Sequence, residues 1–268
     1  MPQNGNCVPN STPGPGRTPG SILDATAVVL KIELHSHSSD DPCDVIPYDT
    51  FALIAEAAAH GYQALAVTLH DRQQDPAPFA AFARERGITL IPGIERTISG
   101  RHVLLLNFSA AATESVRSFD DVRRLKQRER GLVIAPHPFF PAPSSLLSLA
   151  VEHQDIFDAV EYNAMFTASL NFNRKAERWA RQLGLPMVGN GDVHRLEQLG
   201  TTWSIVDAAP DPDAICAAIR DGRVRVHAQP HSALKAARIV GSFLVADIKR
   251  GLALETPGGR RFQPSVNR

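Results

Sequence analysis

Short apolar runs recur along this chain at intervals of about one helix, and nearly all of them end in a histidine or a carboxylate. The runs are AVVLKIEL (27–34), ALAVTL (64–69), ITLIPGI (88–94), HVLLLNF (102–108), LVIAP (132–136), AVEYN (159–163) and PMVGN (186–190), with WSIVDA (203–208) as a further candidate. They are continuous rather than alternating, which is the pattern of strands buried on both faces. Between them, amphipathic stretches near 49–60, 77–86, 117–130, 144–153, 171–183 and 211–221 read as helices. In YDTFALIAEAAAHGY, Asp49 or Thr50 can cap the start and Gly61 the end. The repeated strand–helix order predicts a parallel β/α architecture, either a barrel or an open doubly wound sheet.

A length of 268 residues suffices for one barrel-sized core. Lys+Arg and Asp+Glu both number 28, so the charge balance offers no drive toward nonspecific nucleic-acid or membrane binding. Cys7, Cys43 and Cys216 are far apart and form no CxxC pair, which argues for a reducing compartment and against a cysteine-rich zinc site. Residues 1–22 are rich in Pro, Gly, Asn and Ser without a signal-peptide pattern, and are expected to be a disordered leader. The barrel is expected over 23–225, and residues 226–268 as an extension with one more strand, a closing helix and a frayed tail. No run approaches the roughly 20 apolar residues that span a bilayer. The expected location is cytoplasmic. No G-x-G-x-x-G or P-loop motif follows a strand, and no solenoid repeat is present.

The polar strand ends carry the chemistry. KIELHSHSSDDP delivers His35 and His37, then Asp40 and Asp41. His70 and Asp71 follow the second run, Glu95 the third, His137 the fifth, Glu161 and Asn163 the sixth, and Asp192 and His194 the seventh. His102 opens a strand instead, and a short turn from Glu95 would keep it at the same rim. Strand C-termini of a β/α barrel share one face, so residues tens of positions apart converge there. Singly, each is readable as a polar strand end, a helix cap or a hydrogen-bonded pair. Jointly on one rim, imidazoles and carboxylates make a set for Zn, Mn or Fe, and their number favours a polynuclear hydrolytic site over one structural ion.

HxH followed by Asp, a strand-end His, PGIE, an HP pair and D-x-H, in this order, resemble the PHP (polymerase and histidinol phosphatase) family over about residues 30–225. The resemblance extends to NRKAERWARQLGLPMVGNGDVH and IRDGRVRV. It implies a distorted seven-stranded β/α (TIM-like) barrel and a metal-dependent phosphoesterase with two or three divalent ions. The first ion would be held by His35, His37, Glu95 and Asp192, and the second by Glu95 and His137, with His102 as a further ligand. The third would use Asp40, His70 and His194. The chain departs from the family at Thr68-Leu69-His70, where Thr-Asp-His is usual, and in a short loop after His37 that leaves Asp40 or Asp41 as the ligand.

The reaction expected from this set is hydrolysis of a phosphomonoester or phosphodiester by a metal-bound hydroxide. Arg96 and Arg195, and more weakly Arg72, are candidates to grip a phosphate, against the alternative of surface salt bridges. His194, if not a ligand, would protonate the leaving oxygen. Asn163 either orients substrate or forms a turn. Phe139 and Phe140 either stack on a base or sugar or pack under a loop. The expected substrate is a small phosphorylated molecule (a nucleotide, sugar or amino-alcohol phosphate) or a short oligonucleotide. Two rivals stand beside this reading. One is an amidohydrolase-type metal enzyme, which would usually supply a bridging Lys that no mid-barrel strand ends in here. The other is a catalytically decayed module that keeps its metal for binding or assembly.

Overall fold

Residues 28–241 of the chain are described by a computed structural model. The expected leader and the C-terminal tail lie outside them. Among these residues nine strands form one sheet: β1 (Val28–Glu33), β2 (Ala64–Val67), β3 (Thr89–Ile98), β4 (Arg101–Leu106), β5 (Leu132–Ala135), β6 (Ala159–Asn163), β7 (Met187–Asn190), β8 (Thr202–Ala208) and β9 (Val224–Ala228). The helices are α1 (Thr50–Ala59), α2 (Ala80–Glu85), α3 (Ala110–Ser115), α4 (Phe119–Arg128), α5 (Ser148–Glu152), α6 (Asn173–Leu183) and α7 (Pro212–Arg220). Residues 233–241 are also helical. No helix among the described residues is long and apolar enough to cross a membrane.

The strands lie in the order β7-β6-β5-β4-β3-β2-β1-β8-β9. The ends of that order curl together: Ser204 Oγ of β8 accepts from Gly189 N of β7 at 2.8 Å and donates back to Gly189 O at 3.2 Å. A Cβ on Gly189 would stand 2.8 Å from Trp203 O, so glycine is what lets the edges meet. The result is a nearly closed α/β barrel, of the kind expected but with nine strands rather than seven.

Nor is the sheet all parallel. β4 runs antiparallel to both β3 and β5, and β8 runs antiparallel to β1 and to β9. The β3–β4 reversal follows from Ser99 (φ 52°) and Gly100 (φ 73°), two left-handed residues in a two-residue hairpin turn. β3 therefore continues three residues beyond Glu95 instead of ending there. β9 crosses position 225, where the barrel was expected to end, and belongs to the same sheet.

The strands are buried on both faces. Leu104, Leu106, Ile134 and Val188 join Ile215 and Ile219 of α7 in one cluster. The alternate residues Ile94, Ile98, Val103, Leu105, Val133 and Val160 pack on Val122 and Leu125 of α4 and Trp179 of α6. Because Glu95 pairs with Leu104, it projects into the first face, and Arg96 falls in the second beside Ile94 and Ile98. Local caps start the helices: Asp49 Oδ1 accepts from Ala52 N at 2.8 Å, and Ser118 with Asp121 forms a capping box, each device stabilising by about 1 kcal/mol.

Candidate metal centre

Glu95 is 1% exposed, and each of its oxygens faces its own set of ring nitrogens. Oε2 lies 3.2 Å from His35 Nε2, 3.4 Å from His37 Nε2 and 3.2 Å from His70 Nε2. Oε1 lies 2.7 Å from His102 Nδ1 and 3.3 Å from His137 Nε2. Asp192 Oδ1 completes the first set, 3.4 Å from His35 Nε2 and 3.7 Å from His37 Nε2. Donors about 2.0–2.1 Å from one tetrahedral cation stand about 3.4 Å from each other, so this spacing suits one shared ion.

The ring nitrogens themselves support that fit. His35 Nε2 and His37 Nε2 are buried and make no hydrogen bond, although carboxylate oxygens lie close by. Both atoms face the same gap between Glu95 Oε2 and Asp192 Oδ1. A cation in that gap would satisfy both atoms, whereas an empty site leaves two costly orphans.

A second layer fixes which nitrogen of each ring faces inward. His35 Nδ1 donates to Glu161 Oε1 at 2.9 Å, and the other oxygen of Glu161 accepts from His137 N at 2.6 Å. His37 Nδ1 and His70 Nδ1 both donate to Asp41 Oδ2, each at 2.9 Å. His137 Nδ1 lies 3.3 Å from Ser145 Oγ. Holding Nδ1–H in this way leaves the Nε2 lone pair for a metal, the usual arrangement around ligating imidazoles.

The electrostatics ask for positive charge. Burial opposes ionisation of His35, yet Asp192, Glu95 and Glu161 outweigh it and hold the ring well above its ordinary pKa. His70 is likewise desolvated, but Glu95, Asp41 and Asp44 push it up to about 9. His137 and His194 are raised against burial by their carboxylate neighbours. Burial would raise Glu95 and Asp192, and the surrounding histidines keep both well below the carboxylate range. His37 goes the other way, lowered by burial and by His194, and so stays neutral as a ligand must.

Comparison with known proteins adds to this geometry. A family model described as PHP-associated matches residues 171–224. Among solved structures, a two-domain protein from Bacteroides vulgatus containing a predicted PHP-like metal-dependent phosphoesterase aligns with a TM-score of 0.58 at 20% identity, over 82% of this chain and 70% of its own. The fold of this chain is that of a PHP-like barrel. The PHP-type barrel also matches a lesion-specific endonuclease from Pyrococcus furiosus, with TM-score 0.54 and 14% identity over 80% of this chain and 66% of the other. An amidohydrolase from Chromobacterium violaceum matches with TM-score 0.53 and 18% identity, over 72% and 97%. At these identities the likeness is one of fold. A search of curated proteins finds no match.

Of the residues singled out in the sequence, the PHP-type barrel brings His35, His37, His70, Glu95, His102, His137 and Asp192 into one cluster. Two of them, His137 (φ 29°) and Asp192 (φ 48°), hold left-handed backbone that costs a non-glycine residue energy. At His137 this break in strand alternation matters, because Val133 and Ala135 before it lie in the outer core cluster. His194 sits at the edge, Nδ1 at 3.0 Å from Asp192 O and Nε2 at 3.0 Å from Asp44 Oδ2.

Two expectations need correction. Asp40 is exposed and accepts from Gln74 Nε2 at 2.8 Å, while Asp41 is the carboxylate that turns inward. A single step along an irregular loop decides between them. Arg96 is not at the site: its Nη1 meets Asp71 Oδ1 at 3.0 Å and its Nε donates to Val116 O at 2.8 Å, on the outer face that alternation dictates. Arg72 donates to the carbonyl of Asp40. Arg195, half-buried, donates from Nη1 to His194 O at 2.7 Å.

Asn163 Nδ2 donates to Asp192 Oδ2 at 3.3 Å, so it orients a carboxylate of the cluster. Phe139 is core, edge-on to Trp179 at 5.5 Å, and Phe140 is half-buried beside Phe172 at 5.0 Å. The orienting roles of Asp41 and Glu161 and the contact of Asp44 were not read from sequence. Glu161 was visible as a strand-end carboxylate, but its partners are remote in the chain.

Proposed function

We propose that this chain is a metal-dependent hydrolase of phosphate esters. The observation that carries the proposal is Glu95, a buried carboxylate whose two oxygens each face a separate group of imidazoles. His35, His37, Glu95 and Asp192 would hold one divalent cation (Mn, Zn or Fe), and Glu95, His102 and His137 a second. Bound there, such ions supply Lewis acidity toward a phosphoryl oxygen and lower the pKa of a coordinated water.

The chain's own side chains do the rest. Glu161 and Asp41 keep the Nε2 lone pairs turned inward. Asp192, whose side chain retains 22% exposure, is the most exposed of the proposed ligands and lies on the side from which a phosphate would have to approach. His194, held between Asp44 and the Asp192 carbonyl, is placed to give a proton to the leaving oxygen. Arg195 beside it is the arginine proposed to bind the phosphate. Phe140, whose N–H donates to His137 O and whose ring meets Phe172, is the aromatic side chain proposed to contact the leaving group. The substrate class is a small phosphorylated molecule (nucleotide, sugar or amino-alcohol phosphate) or a short oligonucleotide. The endonuclease neighbour favours keeping oligonucleotides in the test set.

The test is a panel of phosphomonoesters, nucleoside bisphosphates and short oligonucleotides assayed with added Mn or Zn. Turnover is expected from the wild type and not from His35→Ala or Asp192→Ala. Hydrolysis of C–N substrates with no phosphate-ester turnover would move the assignment to the amidohydrolase chemistry named for the Chromobacterium neighbour. Bound metal with no turnover on either class would favour a decayed module.

A further inference from the structure

Resting on that metal-dependent reading, we infer that the site takes two cations rather than three, with His70 recruited to the first of them through Nε2 and no third position formed. A third ion drawn from the family pattern would need a carboxylate from the loop after His37, together with His70 and His194. The loop does not supply it. Asp40 is exposed and bonded to Gln74. Asp41 is already saturated: Oδ2 accepts from His37 Nδ1, His70 Nδ1 and His70 N, and Oδ1 from Cys43 N and Asp44 N, all at 2.8–3.0 Å.

The same bonds commit His70. With Nδ1 and its backbone N–H both tied to Asp41 Oδ2, its free nitrogen is Nε2, which stands 3.2 Å from Glu95 Oε2. That oxygen is the one facing His35 and His37. The ring also stacks on His37, centroids 4.6 Å apart and tilted by 22°, so the two imidazoles present their Nε2 atoms side by side. Asp44, the other acid on this loop, lies on the Nδ1 side of His70 at 3.9 Å and is engaged with His194 Nε2 at 3.0 Å. His194 has its second nitrogen on the Asp192 carbonyl. Among the described residues, donor atoms within 4.8 Å of one another group His37 with His70 and Glu95, and His35 with His37 and Asp192, so His70 is linked to the first position through His37 and Glu95, while His194 falls in no such group. Leu69, buried where the family usually has an acid, removes one more negative charge from this side.

The experiment is elemental analysis of the full chain as purified, and again after chelator stripping and reloading with Mn, together with the spin-coupled EPR signal of a Mn pair. Two ions per chain are expected, unchanged in His194→Ala, with first-ion affinity in His70→Ala weakened by about tenfold or more in chelator competition. Three ions in the wild type, falling to two in His194→Ala, would overturn this inference and leave the hydrolase reading standing. Two ions with unaltered affinity in His70→Ala would overturn the role given to His70. No bound metal under any loading would remove the hydrolase reading itself. The wild-type count needs no variant to fold.

Discussion

Asp41→Asn changes one atom type and should disarm two ligands at once. In the wild type Asp41 Oδ2 accepts from both His37 Nδ1 and His70 Nδ1 at 2.9 Å, which keeps their protons away from Nε2. Asparagine keeps an oxygen for the N–H groups of Cys43 and Asp44, so its NH₂ must take the Oδ2 position. Its two hydrogens then face two Nδ1 atoms. Either the rings switch tautomer and place protons on Nε2, or donor meets donor, and His70 N–H also loses its acceptor. Loss of one orienting partner weakens metal binding by about 10–100-fold, so two should weaken it by about 100- to 10,000-fold. At about 1.4 kcal/mol per tenfold, that is roughly 3–6 kcal/mol. The assay is calorimetric titration of Mn into chelator-stripped protein, with a thermal melt to show that the variant folds. Asp40→Asn, at the exposed neighbour, should stay within about threefold of wild type. An Asp41→Asn protein that binds metal like the wild type, or an Asp40→Asn protein that does not, would refute the reasoning.

Glu161→Gln should behave in the same sense on the other side of the cluster, since its carboxylate holds His35 Nδ1 and His137 N: turnover and metal affinity fall by about 10–100-fold while the fold persists by circular dichroism. Arg96→Ala should cost stability and leave KM alone, because the guanidinium bonds Asp71 and Val116 on the outer face; about 1–3 kcal/mol in a urea melt is expected, and a KM increase without destabilisation would contradict the placement. Glu33 makes a pH test. Burial lifts its pKa to about 8, against the pull of the His35 and Gly191 N–H groups. A folded-state value above the unfolded one means its contribution is complete below about pH 4.5 and is lost as pH rises through 8. Metal-free wild type should therefore lose several kcal/mol relative to Glu33→Gln between pH 5 and pH 9, at about 1.4 kcal/mol per pKa unit. A difference that is flat or rising across that range would show the carboxyl ionised in the fold.

What the chain alone determined is what is local or periodic. Continuous apolar runs marked strands covered on both sides, and most of the helices appeared where caps and amphipathic spacing put them; Asp49 does cap α1. The clustering of histidines and acids at strand ends followed from the same periodicity, because a β/α barrel collects its strand ends. Strand direction was less accessible. Ser99-Gly100 is a hairpin signal, but it is two residues long inside a run of strand-like sequence, and the antiparallel β8 and β9 depend on pairing across the barrel. Only the tertiary structure could choose Asp41 over Asp40, since a difference of one residue in an irregular loop is settled by which carboxylate meets His37 and His70. Arg96 is Glu95's neighbour in sequence, but strand alternation sends adjacent side chains to opposite faces, and only the one pointing inward can serve the site. His35 and Glu161 stand 126 positions apart. No local pattern links them, and their 2.9 Å bond exists because β1 and β6 belong to one closed barrel. Side-chain type and spacing thus determined which ligands the chain could offer, and closure of the barrel decided which nitrogen of each ring points inward.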